Sequence, residues 1–344
     1  MPATSDGRGN PAFGSLFGGS SRAVALQGLE PASPDPTGLP PIGVVAAPEG
    51  GEAGSTGSIW RLIGRVFIEN KLAVAGLVIL VLTFAFCFGG PFLYHSDQTS
   101  VILRNIQAPG TCGSSLTGPA CPLGTDQAGF DVLGRLMIAG QSSLEVGVAA
   151  AAVATLIGVV YGAAAGFLGG ILDALMMRIV DTLLSIPGLL LLIVFAVLFS
   201  PSKDFLILII GGLAWLYPAR LVRGETLTIR TREYVQAVRV MGGTGRRIVM
   251  RHIIPNAIGT IVVNATFQVA DAILALAALS FLNLGIRPPQ TDWGQMLSNG
   301  TLYAYEGYWW LILPAGAFIV LVVVAFNFIG DALRDSLEVR LQQR

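Results

Sequence analysis

Lysine is nearly missing from this 344-residue chain: there are two, Lys71 and Lys203, and neither follows a glycine. The Gly-Lys-Ser/Thr that cradles nucleotide phosphates is therefore absent, and if nucleotide drives this protein another chain binds it. Two histidines and three cysteines leave little material for a catalytic or metal cluster. A hydrolase embedded in the bilayer would need a nucleophile and a base there, and neither His95 nor His252 falls in an apolar run. Charge is scarce as well. Only 12% of residues are charged against 53% hydrophobic, and a mean hydropathy of +0.68 points to an all-α polytopic membrane protein.

Six stretches approach the roughly 20 apolar residues that a spanning helix needs. They are 72–94, 144–168, 174–200, 204–222, 256–284 and 308–332. Before them, residues 1–58 are rich in Gly, Pro, Ser and Ala without apolar periodicity, as expected of a disordered cytoplasmic tail, and no signal-peptide order is present. From residue 59 to 71, Trp60, Ile63 and Phe67 share one face while Arg61, Arg65 and Lys71 can meet an anionic leaflet, which reads as an interfacial helix. Residues 95–140 form the longest connection, ending in PLGTDQAGFDVLGRL (122–136), a turn and a short amphipathic run expected on the outer membrane surface. The membrane core would run from 141 to 332, followed by a cytoplasmic terminus, 333–344.

With both termini inside, the cytoplasmic segments hold 17 of the 21 basic residues and the outside four, Arg104, Arg135, Lys203 and Arg287. The positive-inside rule then fixes the orientation. Most of that charge lies in one internal stretch, residues 228–255, TIRTREYVQAVRVMGGTGRRIVMRHIIP. Tyr234, Val235, Val238 and Met241 fall on one face of a helix from Thr231 to Met241, and Gly242-Gly243 should end it in the left-handed conformation. Arg246, Arg247 and Arg251 can meet acidic groups or lipid phosphates.

Polar residues within the spans are costly and so are candidates for function. Asn264, Gln268 and Asp271 recur at helical spacing on one face of the fifth span. That face either lines a path for cargo or packs through hydrogen bonds against a partner. Arg178 and Asp181 are spaced for a local ion pair, with a gate as the alternative. Pro187 and Pro314 would kink their helices, and Glu145 should lie near the outer end of the second span. Cys112 and Cys121, nine apart in an outer loop, are either a disulfide or two thiols, whereas Cys87 lies in an apolar run and should pack.

Six motifs in order carry a resemblance. They are PLGTDQAGFDVLGRL, MMRIVDTLLSIPGLLL (176–191), ARLVRGETLTIRTREYVQAVRVMGG (219–243), RHIIPN (251–256), LSFLNLGIRPPQTDWGQML (279–297) and FNFIGDALRDSLE (326–338). Over residues 59–340 the chain resembles the permease subunits of dipeptide and oligopeptide ABC importers, in particular their second, C-type permease. The resemblance implies the six-helix type I permease fold with a cytoplasmic coupling helix, in the inner membrane of a bacterium. It also implies a homologous second permease, two ATPase domains that carry ATP and Mg, an external substrate-binding protein and a peptide cargo. No cofactor is expected in this chain, and nucleic acid is not an expected partner.

In such permeases a Glu-Ala-Ala loop followed by glycine seats on the ATPase. The matching positions are Gln236, Ala237, Val238 and Gly242, with Glu233 and Gly243 beside them, Arg246 and Arg247 following, and Pro255 closing the loop. Four positions depart from the pattern: Gln236 replaces the usual glutamate and Val238 the second alanine, Asn283 stands where Ser-Phe-Leu-Gly is usual, and Leu276 stands where many relatives carry an acid. Related cargo, a nickel chelate, an opine or haem, is handled by similar permeases. A secondary transporter is the other alternative, though it should show inverted repeats or a set of intramembrane carboxylates.

Overall fold

A computed structural model describes residues 69–94, 106–111, 121–199 and 202–342, with side chains through Leu337. The expected tail and nearly all of the interfacial helix lie outside the described residues, as does Cys112. Among the described residues every regular element is a helix, apart from one bridge between Thr125 and Asp131. Four helices are long and apolar enough to cross a membrane, Lys71–Leu93, Val132–Leu168, Gly245–Phe281 and Trp309–Leu337, and two bent pairs meet the same test jointly.

The first helix, α1 (Lys71–Leu93), starts where the Asn70 side chain accepts hydrogen bonds from the Leu72 and Ala73 amides at 3.1 and 3.3 Å. Its last turns widen into a π segment, Ala85–Gly89, ahead of Pro91. Proline has no N–H to give the carbonyl four residues back. That carbonyl, of Cys87, accepts instead from Gln141 Nε2 at 2.7 Å. Cys87 is fully buried and free, as its apolar run suggests. Cys121 is buried and disulfide-bonded.

The second helix, α2 (Val132–Leu168), begins well before residue 144. PLGTDQAGFDVLGRL therefore does not end in a separate surface run: Asp131 caps α2 through the Leu133 and Gly134 amides, and the amphipathic residues are its first turns. At 37 residues the helix is about 55 Å long, well beyond a hydrocarbon core of about 30 Å. Arg135, Gln141, Ser142 and Ser143 interrupt the apolar run without interrupting the helix. Ser143 Oγ accepts from the Trp293 amide, and Arg135 stacks over Phe130 while its guanidinium lies 3.5 Å from Asp126.

The pair α3 (Gly170–Leu184) and α4 (Gly188–Phe199) is bent by 78°. Pro187 sits at the break, and the residue before a proline is disfavoured in helical conformation. The single third span expected from sequence is thus two helices. A gentler bend of 43° separates α5 (Lys203–Ala214) from α6 (Leu216–Arg230). Here Pro218 leaves the Ala214 carbonyl without its helical donor, and Gln268 Nε2 supplies one at 2.8 Å.

A row of small residues on α2 lets α6 approach closely. A Cβ on Gly158 would stand 2.4 Å from Pro218 Cβ, one on Gly162 2.3 Å from the Ala219 carbonyl, and one on Gly166 2.8 Å from Thr226 Cβ. Small residues at every fourth position are a signature of close helix packing in membranes.

After the short α7 (Glu233–Val240), α8 (Gly245–Phe281) runs unbroken through the expected boundary at Pro255. A π segment, Val249–Ile253, precedes that proline and absorbs the missing N–H. At the far end Asn283 adopts φ 60°, with Leu284 N–H bonded to the Leu279 carbonyl and Asn283 N–H to that of Ser280. This is a glycine-type helix stop for which asparagine is the next-best residue, so the departure from Ser-Phe-Leu-Gly keeps the geometry.

Asp292 caps α9 (Trp293–Thr301), accepting from the Gly294 and Gln295 amides at 2.8 and 3.1 Å and from Ser280 Oγ at 2.7 Å. Burial pushes its carboxyl up to about 6, against the pull of those hydrogen bonds. The last helix, α10 (Leu313–Gln342), carries Pro314 at its second position, where no N–H is needed, so that proline produces no kink.

Candidate functional site

Two regions gather the residues singled out from sequence. The first is α7 and the junctions that hold it. Glu233 opens the helix in its first turn, where a carboxylate favours the partial positive charge of the N-terminus. Val235 is completely buried among Ala163, Val222, Ile229, Ile248 and Ile253, with Val238 packed at the edge of that cluster. The expected stripe is therefore split. Val235 and Val238 anchor α7 to its own bundle, whereas Tyr234, Met241 and neighbouring Val240 are exposed, the last two at 77% and 87%. An eight-residue helix has two turns, and residues three apart suffice to seat it.

The helix ends in a double hydrogen-bonded stop. Gly243 N–H bonds the Val238 carbonyl at 2.9 Å and Gly242 N–H that of Arg239 at 3.1 Å, with Gly242 at φ +83°. The two glycines are needed for different reasons. A Cβ on Gly242 meets nothing within 4 Å, so only its backbone angle demands glycine. On Gly243 a Cβ would lie 2.6 Å from Val238 Cγ1 and 2.8 Å from the Val238 carbonyl oxygen.

Gln236 donates from Nε2 to the Arg230 carbonyl at 3.1 Å, so its amide closes the end of α6. Arg230 in turn donates to the Gly166 carbonyl at 2.7 Å, tying α6 to the end of α2. Ala237 is exposed beside Gln236. Of the eight arginines from Arg220 to Arg251, two reach acids on α3. Arg223 holds Asp173 through both carboxylate oxygens at 2.5 and 2.8 Å, and Arg220 pairs with Asp181. The expected pairing of Asp181 with Arg178 is thus replaced by one across helices. Arg239 lies over the Phe167 ring at 5.5 Å. Arg246, Arg247 and Arg251 are exposed and have no acidic partner among the described residues.

The second region is one face of α8. Gln268 is buried and spent on the Ala214 carbonyl, so its first role is to repair the backbone at the α5–α6 bend. Asn264 Oδ1 is buried without a hydrogen-bond partner. Asp271 is exposed, and no described side chain bonds it. Gln268 and Asp271 line a cavity of about 530 Å³ at the break between α3 and α4, walled by Leu184, Pro187, Leu192 and Leu274. Tyr217 also reaches it. Glu145 forms an ion pair with Lys203 at 2.5 Å, which ties the first half of α2 to the start of α5.

Residues 154–343 match the family described as binding-protein-dependent transport system inner membrane component, and residues 58–109 match the N-terminal TM domain of oligopeptide transport permease C. The chain is 39% identical over 281 residues to the oligopeptide transport system permease protein OppC of Haemophilus influenzae, covering 82% of this chain and 88% of that one. It is 38% identical over 288 residues to the dipeptide transport system permease protein DppC of Bacillus subtilis, covering 84% and 87% respectively. Against OppC of Escherichia coli K12 the identity is 39% over 283 residues, 82% of this chain and 91% of the relative. The chain belongs to the family of binding-protein-dependent transport system inner membrane components.

Proposed function

We propose that this chain is the C-type permease subunit of an ATP-driven importer of dipeptides and oligopeptides. It crosses the inner membrane of a bacterium six times, counting each bent pair as one crossing, with both termini cytoplasmic. It catalyses no covalent step. ATP and Mg act on two ATPase domains beneath it, a homologous permease completes the pore, and an external binding protein delivers the peptide.

The observation that carries the coupling assignment is the construction of α7. A two-turn helix is fixed to its own bundle by Val235, ended by Gly242 and Gly243, and leaves Gln236, Ala237, Val240 and Met241 bare. Such an element transmits displacement, because it is rigidly held on one side and free to seat in a groove on the other. Arg246 and Arg247 lie close by in sequence as cations for acidic groups or lipid phosphates. The path is assigned to the Asn264, Gln268 and Asp271 face of α8, on the strength of the cavity at the α3–α4 break.

The test is a disulfide cross-link. Ala237→Cys, paired with a cysteine in the groove of the ATPase, should cross-link in the assembled complex, block peptide uptake, and recover on reduction. Failure to cross-link across a set of groove positions would refute α7 as the contact. Peptide uptake that survives an ATPase-dead partner would instead indicate a secondary transporter.

A further inference from the structure

The cavity at the α3–α4 break holds one full charge. Its walls are mainly leucine, isoleucine, alanine and proline, and no arginine, lysine or histidine lines it. Its volume of about 530 Å³ lies within the roughly 300–1,000 Å³ of small-molecule sites. The polar groups at its wall are the Asp271 carboxylate, the Gln268 amide and Tyr217. One N–H of the Gln268 amide is spent on the Ala214 carbonyl, which leaves its carbonyl oxygen as an acceptor beside the carboxylate and one further N–H. The C-terminus of α3 and the N-terminus of α4 both flank the break, and their partial charges oppose one another.

Asp271 stands out against this background because it is unspent. Three other carboxylates on the long helices and bent pairs do have a cationic partner: Asp173 with Arg223, Asp181 with Arg220 and Glu145 with Lys203. A carboxylate on an apolar wall without a counter-ion is costly, and an intramembrane charge ordinarily marks a site. The one full charge at this wall is anionic, and with the Gln268 oxygen beside it as a second acceptor it favours a ligand that donates hydrogen bonds and carries positive charge. A linear peptide always carries one such group, the α-ammonium at its free amino terminus.

We propose that Asp271 is the counter-charge for the amino terminus of the peptide as it passes this cavity, with Gln268 Oε1 accepting a second hydrogen bond. This rests on the reading of the α8 face as part of the path. Removing the carboxylate leaves the ammonium to cross an apolar chamber uncompensated, which slows passage without touching the external binding protein.

The experiment uses the whole complex in proteoliposomes, with trialanine and N-acetyltrialanine presented on saturating binding protein. Asp271→Asn should lower the maximal rate of trialanine uptake about tenfold or more, the scale of a lost hydrogen bond to a charged group. The half-saturating concentration of loaded binding protein should not move. Asp271→Glu should keep the rate within about twofold of wild type, and the trialanine to N-acetyltrialanine ratio should fall in Asp271→Asn alone. The proposal is overturned by trialanine uptake in Asp271→Asn within that twofold margin, or by loss of both peptides to the same degree. It is equally overturned if Asp271→Asn depletes the assembled complex, since Asp271 would then pair with the second permease. Wild-type complex that imports no peptide would overturn the proposed function itself, a separate outcome.

Discussion

At the end of α7 two adjacent glycines should respond to substitution in opposite ways. Gly242 holds φ +83° in open space, so a side chain there meets no neighbour and costs only the left-handed backbone. For an ordinary residue that is about 1–2 kcal/mol, less for asparagine and more for a β-branched side chain. Gly243 is crowded instead, since any Cβ would press on the Val238 carbonyl oxygen at 2.8 Å. A backbone atom cannot turn aside as a flexible side chain can. The expected order at Gly242 is thus Asn better than Ala better than Val, whereas at Gly243 alanine and asparagine fail alike.

The assay is peptide uptake and peptide-stimulated ATP hydrolysis by the reconstituted complex, with the amount of permease in the membrane as control. A cost of 1–2 kcal/mol changes the population of the correct turn by a factor of about 5–30, so Gly242→Ala should reduce uptake measurably and Gly242→Val should abolish it. Hydrolysis uncoupled from uptake is the expected signature, because the bundle above α7 is untouched. If Gly242→Asn is as damaging as Gly242→Val, or Gly243→Ala is harmless, the backbone argument is wrong.

Three further outcomes follow from the same geometry. Gln236→Glu removes the donor that closes α6 and brings a second carboxylate one turn from Glu233, so it should lose up to about 1 kcal/mol locally and never raise uptake, as transport by that variant will show. Gln268→Leu strands the Ala214 carbonyl inside the bundle and should lower thermal stability of the complex by about 1–3 kcal/mol, with Gln268→Glu no better because it cannot donate when ionised. The buried Asp292 keeps its proton to about pH 6, above an unfolded carboxyl near 3.9, so the stability held by the neutral form is full below the unfolded value and is lost as pH rises through about 6. Unfolding free energies at pH 5 and 8 should therefore fall with rising pH more steeply in wild type than in Asp292→Asn, by about 1.4 kcal/mol, the part of the titration window that lies above pH 5.

Apolar length alone located the membrane-length helices, because burial in lipid demands it, and the left-handed stop at Gly242 was legible because glycine pairs rarely serve another purpose at a helix end. The start of α2 was not legible. Hydropathy reports contact with lipid, and Arg135, Gln141 and Ser143 are polar residues that a long helix carries past the membrane into contacts with Phe130, the Cys87 carbonyl and Trp293. The partner of Asp181 could not be read either, since local spacing offers Arg178 and only the antiparallel packing of α3 on α6 brings Arg220 closer. Gly158, Gly162 and Gly166 keep the spacing of close helix packing but do not say which helix meets them, and the break at Pro187 was signalled by a proline that in membrane helices is too common to weigh by itself.

The prolines also explain which polar residues in the spans are free to act. A proline within a helix strands the carbonyl four residues earlier, and here two of these carbonyls are answered by glutamines from other helices: Cys87, behind Pro91, by Gln141, and Ala214, behind Pro218, by Gln268. Ahead of Pro255 a π segment accommodates the same loss within the helix. A glutamine buried in a bundle is thus first a candidate for backbone repair, which a search along its own helix face does not reveal, because the proline lies on another helix. Applied to α8, this reasoning takes Gln268 out of the set of uncommitted residues and leaves Asn264 and Asp271. Asn264 Oδ1 is sealed from solvent. Asp271 alone is charged, uncommitted and open to the cavity, and this is why the path of the cargo is best probed there.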